Sequence, residues 1–319
     1  MLAGSRVLLT GATGFLGAHL ARRLVAEGCW VGALLRLGSN TARLANVLDR
    51  LHPLSGDLLA PESLADAVRV CAPRYVFHLA AHGVDRPLAS ATDSVQTNVQ
   101  GTVNLLDACR AADLARFVYV GTCYEYGDGR APCREDQPVA PANYYAASKA
   151  AGWLLCGVYH RVHGLPVATV RPFQAYGPYQ GCRLLLPYAI TTALRGEDLR
   201  LTPGEQVRDF VYVDDVVDGV LTAATTPAAV GQTINLGSGE GTTVRRAVEM
   251  ALDVLGWPVP AHFGALEYRP GEVWDLRADP RRARELLGWQ PRTGLADGLR
   301  QTVGWYRAHL DLALRLPSS

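Results

Sequence analysis

Three glycines spaced three residues apart constrain this chain more than any other feature of its sequence. The run Gly11-Ala12-Thr13-Gly14-Phe15-Leu16-Gly17 follows an apolar segment, 6–10, and opens an amphipathic one, 15–27. A strand, a glycine turn and a helix N-terminus form a site for a pyrophosphate, because glycines let the backbone approach the ligand and the helix end offers unpaired N–H groups. The alternative is a glycine turn without a ligand. With the strand and helix in place, the pattern predicts a bound dinucleotide.

The first half of the chain alternates short apolar segments with longer amphipathic ones. Strands are predicted at 6–10, 30–35, 75–79, 116–120 and 167–170, and helices at 15–27, 62–70, 95–111 and 143–163. Continuous apolar strands between helices are typical of a parallel sheet covered on both faces. The expected fold class is therefore α/β, a Rossmann-type doubly wound parallel sheet.

The pattern changes after residue 171, where prolines and glycines cluster at 172–181 and again at 256–271. We expect a dinucleotide-binding domain at 1–171. Residues 172–319 are expected to form a smaller mixed substrate-binding lobe, interleaved with the end of the sheet. Such a lobe would overhang the carboxyl ends of the strands, where open α/β sheets bind ligands.

Composition excludes several classes of partner. A formal net charge of +1 among 319 residues gives no electrostatic reason to expect nucleic acid or a membrane surface. No apolar run approaches the ~20 residues of a membrane helix, and the N-terminus lacks the layout of a signal peptide. The seven cysteines form no Cys-x-x-Cys pair. We therefore expect free thiols, no metal site and a cytoplasmic protein.

The residue after the second strand bears on which dinucleotide binds. An acid usually ends that strand and accepts a hydrogen bond from the ribose 2′-hydroxyl. Here the strand ends in Leu35-Arg36, followed by Ser39 and Asn40, and residues 30–40 contain no acid. A guanidinium suits a 2′-phosphate by charge and by its forked donors, although Arg36 could equally face solvent in a loop. The sequence favours NADP(H), with NAD(H) as the alternative.

A tyrosine and a lysine four residues apart are the first candidates for catalysis. Tyr145 and Lys149 share one face of the helix predicted at 143–163, and a nearby ammonium lowers the pKa of a phenol. Tyr144 meets Ser148 instead. Thr122 follows the strand at 116–120, where its hydroxyl can bond the substrate oxygen that Tyr145 protonates. Surface Tyr/Lys pairs and turn threonines are common, so the prediction depends on the three residues occurring together.

With these motifs, the chain resembles an extended short-chain dehydrogenase/reductase of the nucleotide-sugar epimerase/dehydratase type. The resemblance covers nearly the whole length. It rests on the glycine run, His78-Leu79-Ala80-Ala81, Thr122 before Tyr126-Gly127, Tyr145 with Lys149, the segments 171–178 and 208–215, Asn235-Leu236-Gly237 and Leu287-Gly288-Trp289.

The resemblance implies roles at matching positions. The implied cofactor contacts, besides the glycine loop and the catalytic pair, are Asp57, Leu58, Ala80, Ala81, Asn98 and Pro172. The implied substrate contacts are Thr122, Cys123, Tyr124, Gln174, Arg208 and Arg269, of which the two arginines would hold the diphosphate of a sugar nucleotide. Arg208 could equally be a structural salt-bridge partner. The family often dimerises through a four-helix bundle, so a homodimer through 95–111 and 143–163 is expected.

The chain also departs from the family at informative positions. Dehydratases of this type carry an acid pair directly after the catalytic threonine, where this chain has Cys123 and Tyr124. Glu125 comes one residue too late, and on a strand end it would point the other way. Gln174 stands where the 4-epimerases commonly carry Asn, which puts the phosphate contact there in doubt.

These departures favour net reduction over dehydration or epimerisation. The primary hypothesis is an NADPH-dependent reduction of a nucleotide-linked 4-keto (6-deoxy) sugar, with Tyr145 as proton donor assisted by Lys149 and Thr122. The alternative enzyme is a nucleotide-sugar 4-epimerase with tightly bound NAD. A non-catalytic dinucleotide sensor is disfavoured by the presence of all three residues.

Overall fold

A seven-stranded parallel sheet forms the centre of the molecule. The computed structural model describes residues 2–84, 90–269 and 271–317. In chain order the strands are β1 (Arg6–Thr10), β2 (Trp30–Leu35), β3 (His52–Ser55), β4 (Tyr75–His78), β5 (Arg116–Val120), β6 (Val167–Pro172), β7 (Gln174–Tyr176), β8 (Leu199–Leu201), β9 (Val207–Arg208), β10 (Phe210–Tyr212), β11 (Thr233–Leu236), β12 (Thr242–Thr243), β13 (Ala261–Phe263) and β14 (Asp275–Leu276).

The order of strands in the large sheet places all their carboxyl ends at one edge. The order is β11-β6-β5-β4-β1-β2-β3, and every neighbouring pair is parallel. The predicted parallel α/β sheet is thereby confirmed. Sequence patterning missed β3, because this edge strand has the sequence His-Pro-Leu-Ser with three exposed side chains, and a proline is tolerated at a sheet edge.

Helices cover both faces of this sheet. In chain order, the helices of the described residues, on the sheet and beyond it, are α1 (Phe15–Ala26), α2 (Pro61–Cys71), α3 (Ala91–Val95), α4 (Gly101–Cys109), α5 (Tyr144–His163), α6 (Leu185–Leu194), α7 (Val213–Thr225), α8 (Val244–Leu255), α9 (Arg281–Leu287), α10 (Leu295–Ala308) and α11 (Leu310–Arg315). One hydrophobic cluster joins the sheet to α1 and α7, and a second joins it to α2, α4 and α5. Two separate clusters on opposite faces are the doubly wound arrangement that the sequence predicts.

The helix predicted at 95–111 is wrong at its start and in its regularity. The helical path begins at Ala91, where the Ser90 side chain accepts a hydrogen bond from the Asp93 amide at 3.3 Å. It then widens into a π-helical turn, Gln96–Gln100, before α4. Apolar periodicity does not report such a widened turn, which is why the segment is predicted as one helix.

The chain beyond residue 171 both completes the large sheet and builds a smaller assembly beside it. β11 is the outermost strand of the large sheet, whereas α6, α8 and α10 pack on one another with two further hydrophobic clusters. The division into two domains at residue 171 remains a prediction. Within the described part of the chain, no helix is long and apolar enough to cross a membrane. All seven cysteines are free.

Candidate active site

The glycine loop between β1 and α1 leaves no room for side chains. Gly11 has a φ of +73°, and a Cβ there would lie 2.6 Å from the Ala80 nitrogen. A Cβ on Gly17 would overlap the Gly11 carbonyl oxygen. Gly14 is the N-cap of α1 and supplies no side-chain hydrogen bond, and the first turn of α1 holds no acid. These free N–H groups, without a competing carboxylate, fit the pyrophosphate of a dinucleotide.

A buried histidine fixes the strand end that faces this loop. His78 Nδ1 lies 2.7 Å from the Thr10 hydroxyl, and Nε2 lies 2.9 Å from the Thr102 hydroxyl. The Ala80 amide donates to the Thr10 oxygen at 3.3 Å. Burial, aided by the charge of Lys149, lowers the pKa of His78 to about 3. The imidazole is therefore neutral at physiological pH and serves to hold Ala80 against the glycine loop.

A cleft of about 630 Å³ runs along the carboxyl edge of the sheet. It brings together nearly all the residues predicted from the sequence. They are Gly11, Thr13, Gly14, Phe15, Leu16, Gly17, Arg36, Ser39, Asp57, Leu58, Ala80, Ala81, Thr122, Cys123, Tyr124, Tyr145, Lys149, Pro172, Gln174, Arg208 and Arg269.

Asn98 is the predicted site residue that does not line the cleft. It lies in the π-helical turn and is 1% exposed. Its Oδ1 accepts from the His82 amide at 2.7 Å, and its Nδ2 donates to the His82 carbonyl and to the Ser148 hydroxyl, both at 2.9 Å. Asn98 thus joins the segment after β4 to α5 behind the cleft, and its implied contact with the cofactor remains a prediction.

Arg36 lines the part of the cleft that the glycine loop and Asp57 also line, which is called the cofactor half below. It directly follows β2 and is exposed, with Ser39 beside it in the cleft wall. The nearest strand end on the other side, after β3, contributes Asp57, whose Oδ1 accepts from the Leu59 amide at 2.9 Å. A guanidinium therefore occupies the place after β2 where an acid would bind a ribose 2′-hydroxyl.

Thr122, Tyr145 and Lys149 converge where β5 ends and α5 begins. Asn143 starts α5 by accepting a hydrogen bond from the Ala146 amide at 2.8 Å, which places Tyr145 in the first turn. Burial raises the pKa of Tyr145, and a side-chain hydrogen bond with Thr122 acts in the opposite direction. Burial lowers the pKa of Lys149 to about 8, and its Nζ lies 4.2 Å from the centre of the Tyr119 ring.

The lowering of the Tyr145 pKa by Lys149 remains a prediction. In this structure burial dominates and raises the pKa of the Tyr145 phenol above its ordinary value, while the hydrogen bond with Thr122 opposes that shift. The unliganded phenol is consequently neutral at physiological pH. That is the form which can donate a proton.

Residues 123–126 form a short 3₁₀ helix directly after Thr122. Glu125 therefore does not sit on a strand end, as the sequence suggested, but folds back under Thr122. Its Oε1 accepts from the Thr122 amide at 2.9 Å, and its Oε2 accepts from Arg171 Nε at 2.7 Å. Cys123 and Tyr124 face the cleft in its place, and burial raises the pKa of both.

The part of the cleft lined by Tyr124, Gln174, Arg208 and Glu272 is called the substrate half below, and its polar side chains form hydrogen bonds with one another. Arg208 Nη2 donates to Glu272 Oε1 at 2.7 Å, and both residues line the cleft. The Tyr124 hydroxyl donates to Gln174 Oε1 at 3.1 Å. Arg208 is thus a salt-bridge partner and a cleft residue at the same time, so the two readings of its sequence motif are compatible.

Comparisons with known proteins agree with this geometry. The family model of the NAD-dependent epimerase/dehydratase family matches residues 7–237. A dTDP-glucose 4,6-dehydratase of Streptomyces griseus is 37% identical, over 96% of this chain and 95% of its own. A UDP-glucose 4-epimerase of Mycolicibacterium smegmatis is 35% identical, over 95% of this chain and 98% of its own.

The chain belongs to the NAD-dependent epimerase/dehydratase family. It is therefore an enzyme of the extended short-chain dehydrogenase/reductase type, as the sequence resemblance predicted. Its fold matches that of a UDP-glucuronic acid 4-epimerase of Bacillus cereus in complex with UDP-glucuronic acid and NAD. The TM-score is 0.86 at 28% identity, with 95% of this chain and 99% of that chain covered.

The cleft of this family member is also lined by residues that the sequence did not predict as site residues. Arg183, Asn143 and Glu272 line the same cleft. Asn143 could have been found as the helix N-cap before Tyr145, and Glu272 from its place three residues after Arg269. Arg183 carries no local signal. In the described ranges, no group of three or more His, Cys, Asp or Glu side chains is arranged to hold a metal ion.

Proposed function

We propose that this enzyme uses NADPH to reduce the keto group of a nucleotide-linked 4-keto sugar, of the 6-deoxy type. The observation that carries the proposal is Arg36, which follows β2 in the cleft where an acid would favour NAD. A cofactor taken up as NADPH and released as NADP is suited to net reduction. The family members that bind NAD permanently return the hydride to the same substrate.

The protonation state of Tyr145 is compatible with this direction of reaction. A tyrosine at its ordinary pKa of about 10 is neutral at physiological pH, and burial raises the pKa of Tyr145 further. The phenol is therefore in the form that gives its proton to a carbonyl oxygen. The choice between reduction and epimerisation depends on Arg36 and not on this protonation state.

The residues after Thr122 argue against dehydration. Removal of water from a sugar needs an acid and a base beside the C5–C6 bond. Burial raises the pKa of both Cys123 and Tyr124, so neither is ionised at physiological pH. The Glu125 carboxylate is turned away and held by Thr122 and Arg171. Dehydration is therefore disfavoured, although several relatives are named dehydratases.

The chain's own residues provide the rest of the mechanism. NADPH, when bound against the glycine loop and beside Arg36, supplies the hydride. The Thr122 hydroxyl bonds the carbonyl oxygen of the substrate and polarises it. Tyr145 gives its proton to that oxygen as charge develops on it. The Lys149 ammonium offsets the negative charge left on the phenolate. Arg208 and Arg269, with Arg183 nearby, hold the diphosphate of the nucleotide.

The test is a steady-state assay of NADPH oxidation, followed by absorbance, with a panel of nucleotide-linked 4-keto-6-deoxy sugars. We expect turnover with at least one panel member and a higher kcat/KM for NADPH than for NADH. Arg36→Ala should lower the preference for NADPH roughly tenfold to a hundredfold, since a charge-assisted contact with a phosphate contributes about 1.5–3 kcal/mol. Arg307→Ala, which removes an exposed arginine outside the cleft, is the matched control. A wild-type preference for NADH would contradict the proposal.

A nucleotide-sugar 4-epimerase is the second candidate, and the names of similar proteins favour it. It predicts NAD that stays bound through purification and conversion of a plain UDP-hexose without net NADPH consumption. These two observations, with no reduction of any 4-keto sugar, would select it. A non-catalytic dinucleotide sensor would tolerate loss of the Tyr145 hydroxyl, which an enzyme would not.

A homodimer through α4 and α5 is also proposed. Leu154, Val158 and Val162 recur every four residues of α5 and are 56%, 40% and 67% exposed. Val95, at the end of α3, is 54% exposed as well. An apolar stripe of this kind favours burial against a second copy. We expect a dimer by light scattering and a monomer for Val158→Glu. A monomeric wild type would contradict this.

A further inference from the structure

Glu125 and Arg171 form an ion pair that lies entirely inside the protein, behind the catalytic residues. The Arg171 Nε to Glu125 Oε2 distance is 2.7 Å, and both side chains are 0% exposed. Burying two charges is costly, and neutral packing of equal volume is often as stable. Because neither side chain lines the cleft, the presence of two charges at this buried position calls for a reason in the residues that they touch.

The other oxygen of Glu125 touches the backbone of a catalytic residue. Oε1 accepts from the Thr122 amide at 2.9 Å, while the Thr122 hydroxyl accepts from the Tyr124 amide at 3.3 Å. The two bonds form a capping box that fixes where the Thr122 hydroxyl lies. The carboxylate fits only because residue 121 is glycine, since a Cβ there would lie 2.5 Å from Oε1.

Arg171 is itself held on several sides. Its Nη1 donates to the Tyr126 hydroxyl at 2.9 Å, and that hydroxyl donates to Asn235 Oδ1 at 2.8 Å. The guanidinium also lies 4.3 Å from the ring centre of Trp153 and 4.8 Å from that of Tyr126. Arg171 thus ties Glu125 to the adjacent β11 and holds its carboxylate in a fixed position.

Glu125 is also the carboxylate that acts on Lys149. Burial lowers the pKa of Lys149 to about 8, and Glu125 and Cys156 oppose that shift. Burial raises the pKa of the Cys156 thiol, so that this group carries no charge at physiological pH. The other groups around the ammonium are the Tyr119 ring, 4.2 Å from Nζ, and His78, whose pKa is lowered to about 3 and which is therefore neutral. Without Glu125, no formal negative charge among these groups would favour the ammonium at physiological pH.

We propose that Glu125 is a positioning residue: paired with Arg171, its carboxylate holds Thr122 so that the hydroxyl is in place for the substrate oxygen. An effect of the same carboxylate on the charge of Lys149 is expected beside it and is measured separately. The inference rests on the proposed function for the meaning of Thr122 and Lys149, but the effect on Lys149 can be measured without substrate.

The sequence makes that measurement direct, because Lys149 is the single lysine of the chain. Protein labelled with ¹³C at the lysine ε-carbon gives one lysine signal, whose shift against pH reports the Lys149 pKa. In the wild type we expect a midpoint near 8. In Glu125→Gln, which can still accept from the Thr122 amide but has lost its charge, the midpoint should fall by about one pH unit.

Glu135→Gln is the matched control. Glu135 is likewise a glutamate with little exposure, 5% for its side chain. It accepts from a backbone amide, that of Asn235 at 2.8 Å, and pairs with an arginine, Arg282 at 3.7 Å. It does not act on Lys149, so its variant should titrate as the wild type does. An unchanged Lys149 midpoint in folded Glu125→Gln would overturn the charge effect.

Kinetic measurements separate the positioning of Thr122 by Glu125 from the effect of Glu125 on the charge of Lys149. Glu125→Ala loses the bond to Thr122 as well as the charge, so its kcat should fall about a hundredfold, and further than that of Glu125→Gln, with little change in cofactor KM. A Glu125→Ala variant with wild-type kcat would overturn the positioning effect.

Two controls separate the role of Glu125 from a folding defect of the variant and from a failure of the proposed function. If Glu125→Gln does not fold because Arg171 is left unpaired, the double variant Glu125→Gln/Arg171→Gln removes both charges. Its Lys149 midpoint must still fall, but by less than in Glu125→Gln, because a cation that disfavours the ammonium is lost with the carboxylate. If the wild type reduces no 4-keto sugar, the proposed function fails, and the lysine titration still decides the role of Glu125.

Discussion

The two halves of the cleft are built in different ways. The cofactor half consists mainly of backbone: Gly11 packs against Ala80, and α1 presents free N–H groups behind Gly14. The substrate half consists of side chains already paired with one another, as in Arg208–Glu272 and Tyr124–Gln174. Backbone geometry requires glycines at fixed spacing, which a sequence displays. The paired side chains lie 64 and 50 residues apart, which a sequence does not display.

The largest expected effect lies where the two halves meet, at the phenol of Tyr145. Tyr145→Phe removes the proton donor and should lower kcat about 10²–10⁴-fold, which is the usual contribution of general acid catalysis. Binding of NADPH, followed by fluorescence titration, should be unchanged. Tyr144→Phe, on the neighbouring exposed tyrosine, is the control. A Tyr145→Phe enzyme with wild-type turnover would show that Tyr145 is not the proton donor.

In the cofactor half, a single added methyl group should weaken the binding of NADPH. Gly11→Ala places a Cβ 2.6 Å from the Ala80 nitrogen and should weaken NADPH binding roughly tenfold to a hundredfold. Gly28→Ala is matched in backbone strain, with a φ of +78° against +73°, but its Cβ meets nothing within 4 Å. Equal loss of binding in both variants would mean that strain, and not crowding at the loop, is responsible.

In the substrate half, loss of a charge should weaken the binding of the nucleotide sugar instead. Arg208→Gln removes a cation proposed to hold the diphosphate, so the KM for the nucleotide sugar should rise roughly tenfold or more while the Kd of NADPH stays unchanged. The reverse result, weaker cofactor binding and an unaltered sugar KM, would place Arg208 in the other half of the cleft.

The dependence on pH should come from Lys149, because its pKa lies near 8. Below that pH the ammonium is present, and as pH rises through about 8 it loses its proton, so kcat should fall. The expected loss is about tenfold per pH unit well above the midpoint. A kcat profile that stays flat to pH 10 would show that turnover does not require the ammonium.

The sequence predicts the glycine loop and the strands and helices around it almost completely, because periodicity, glycine spacing and strand ends are local signals. It fails where a residue's position depends on a partner far along the chain. Glu125 is the clearest case. It does point away from the cleft, as predicted, but it lies in a 3₁₀ helix and not on a strand end, and Arg171, 46 residues later, binds its carboxylate. Asn98 is similar, since a widened helical turn and two distant partners withdraw it from the cleft.

The fate of one hydrogen atom tests the central claim most directly. NADPH carrying deuterium at the transferred position is incubated with the enzyme and the 4-keto sugar nucleotide, and the product is analysed by mass spectrometry and NMR. Net reduction predicts a product with deuterium at the former keto carbon and a matching amount of free NADP. Retention of all the deuterium in the cofactor, with interconversion of a plain nucleotide hexose on tightly bound NAD, would contradict it.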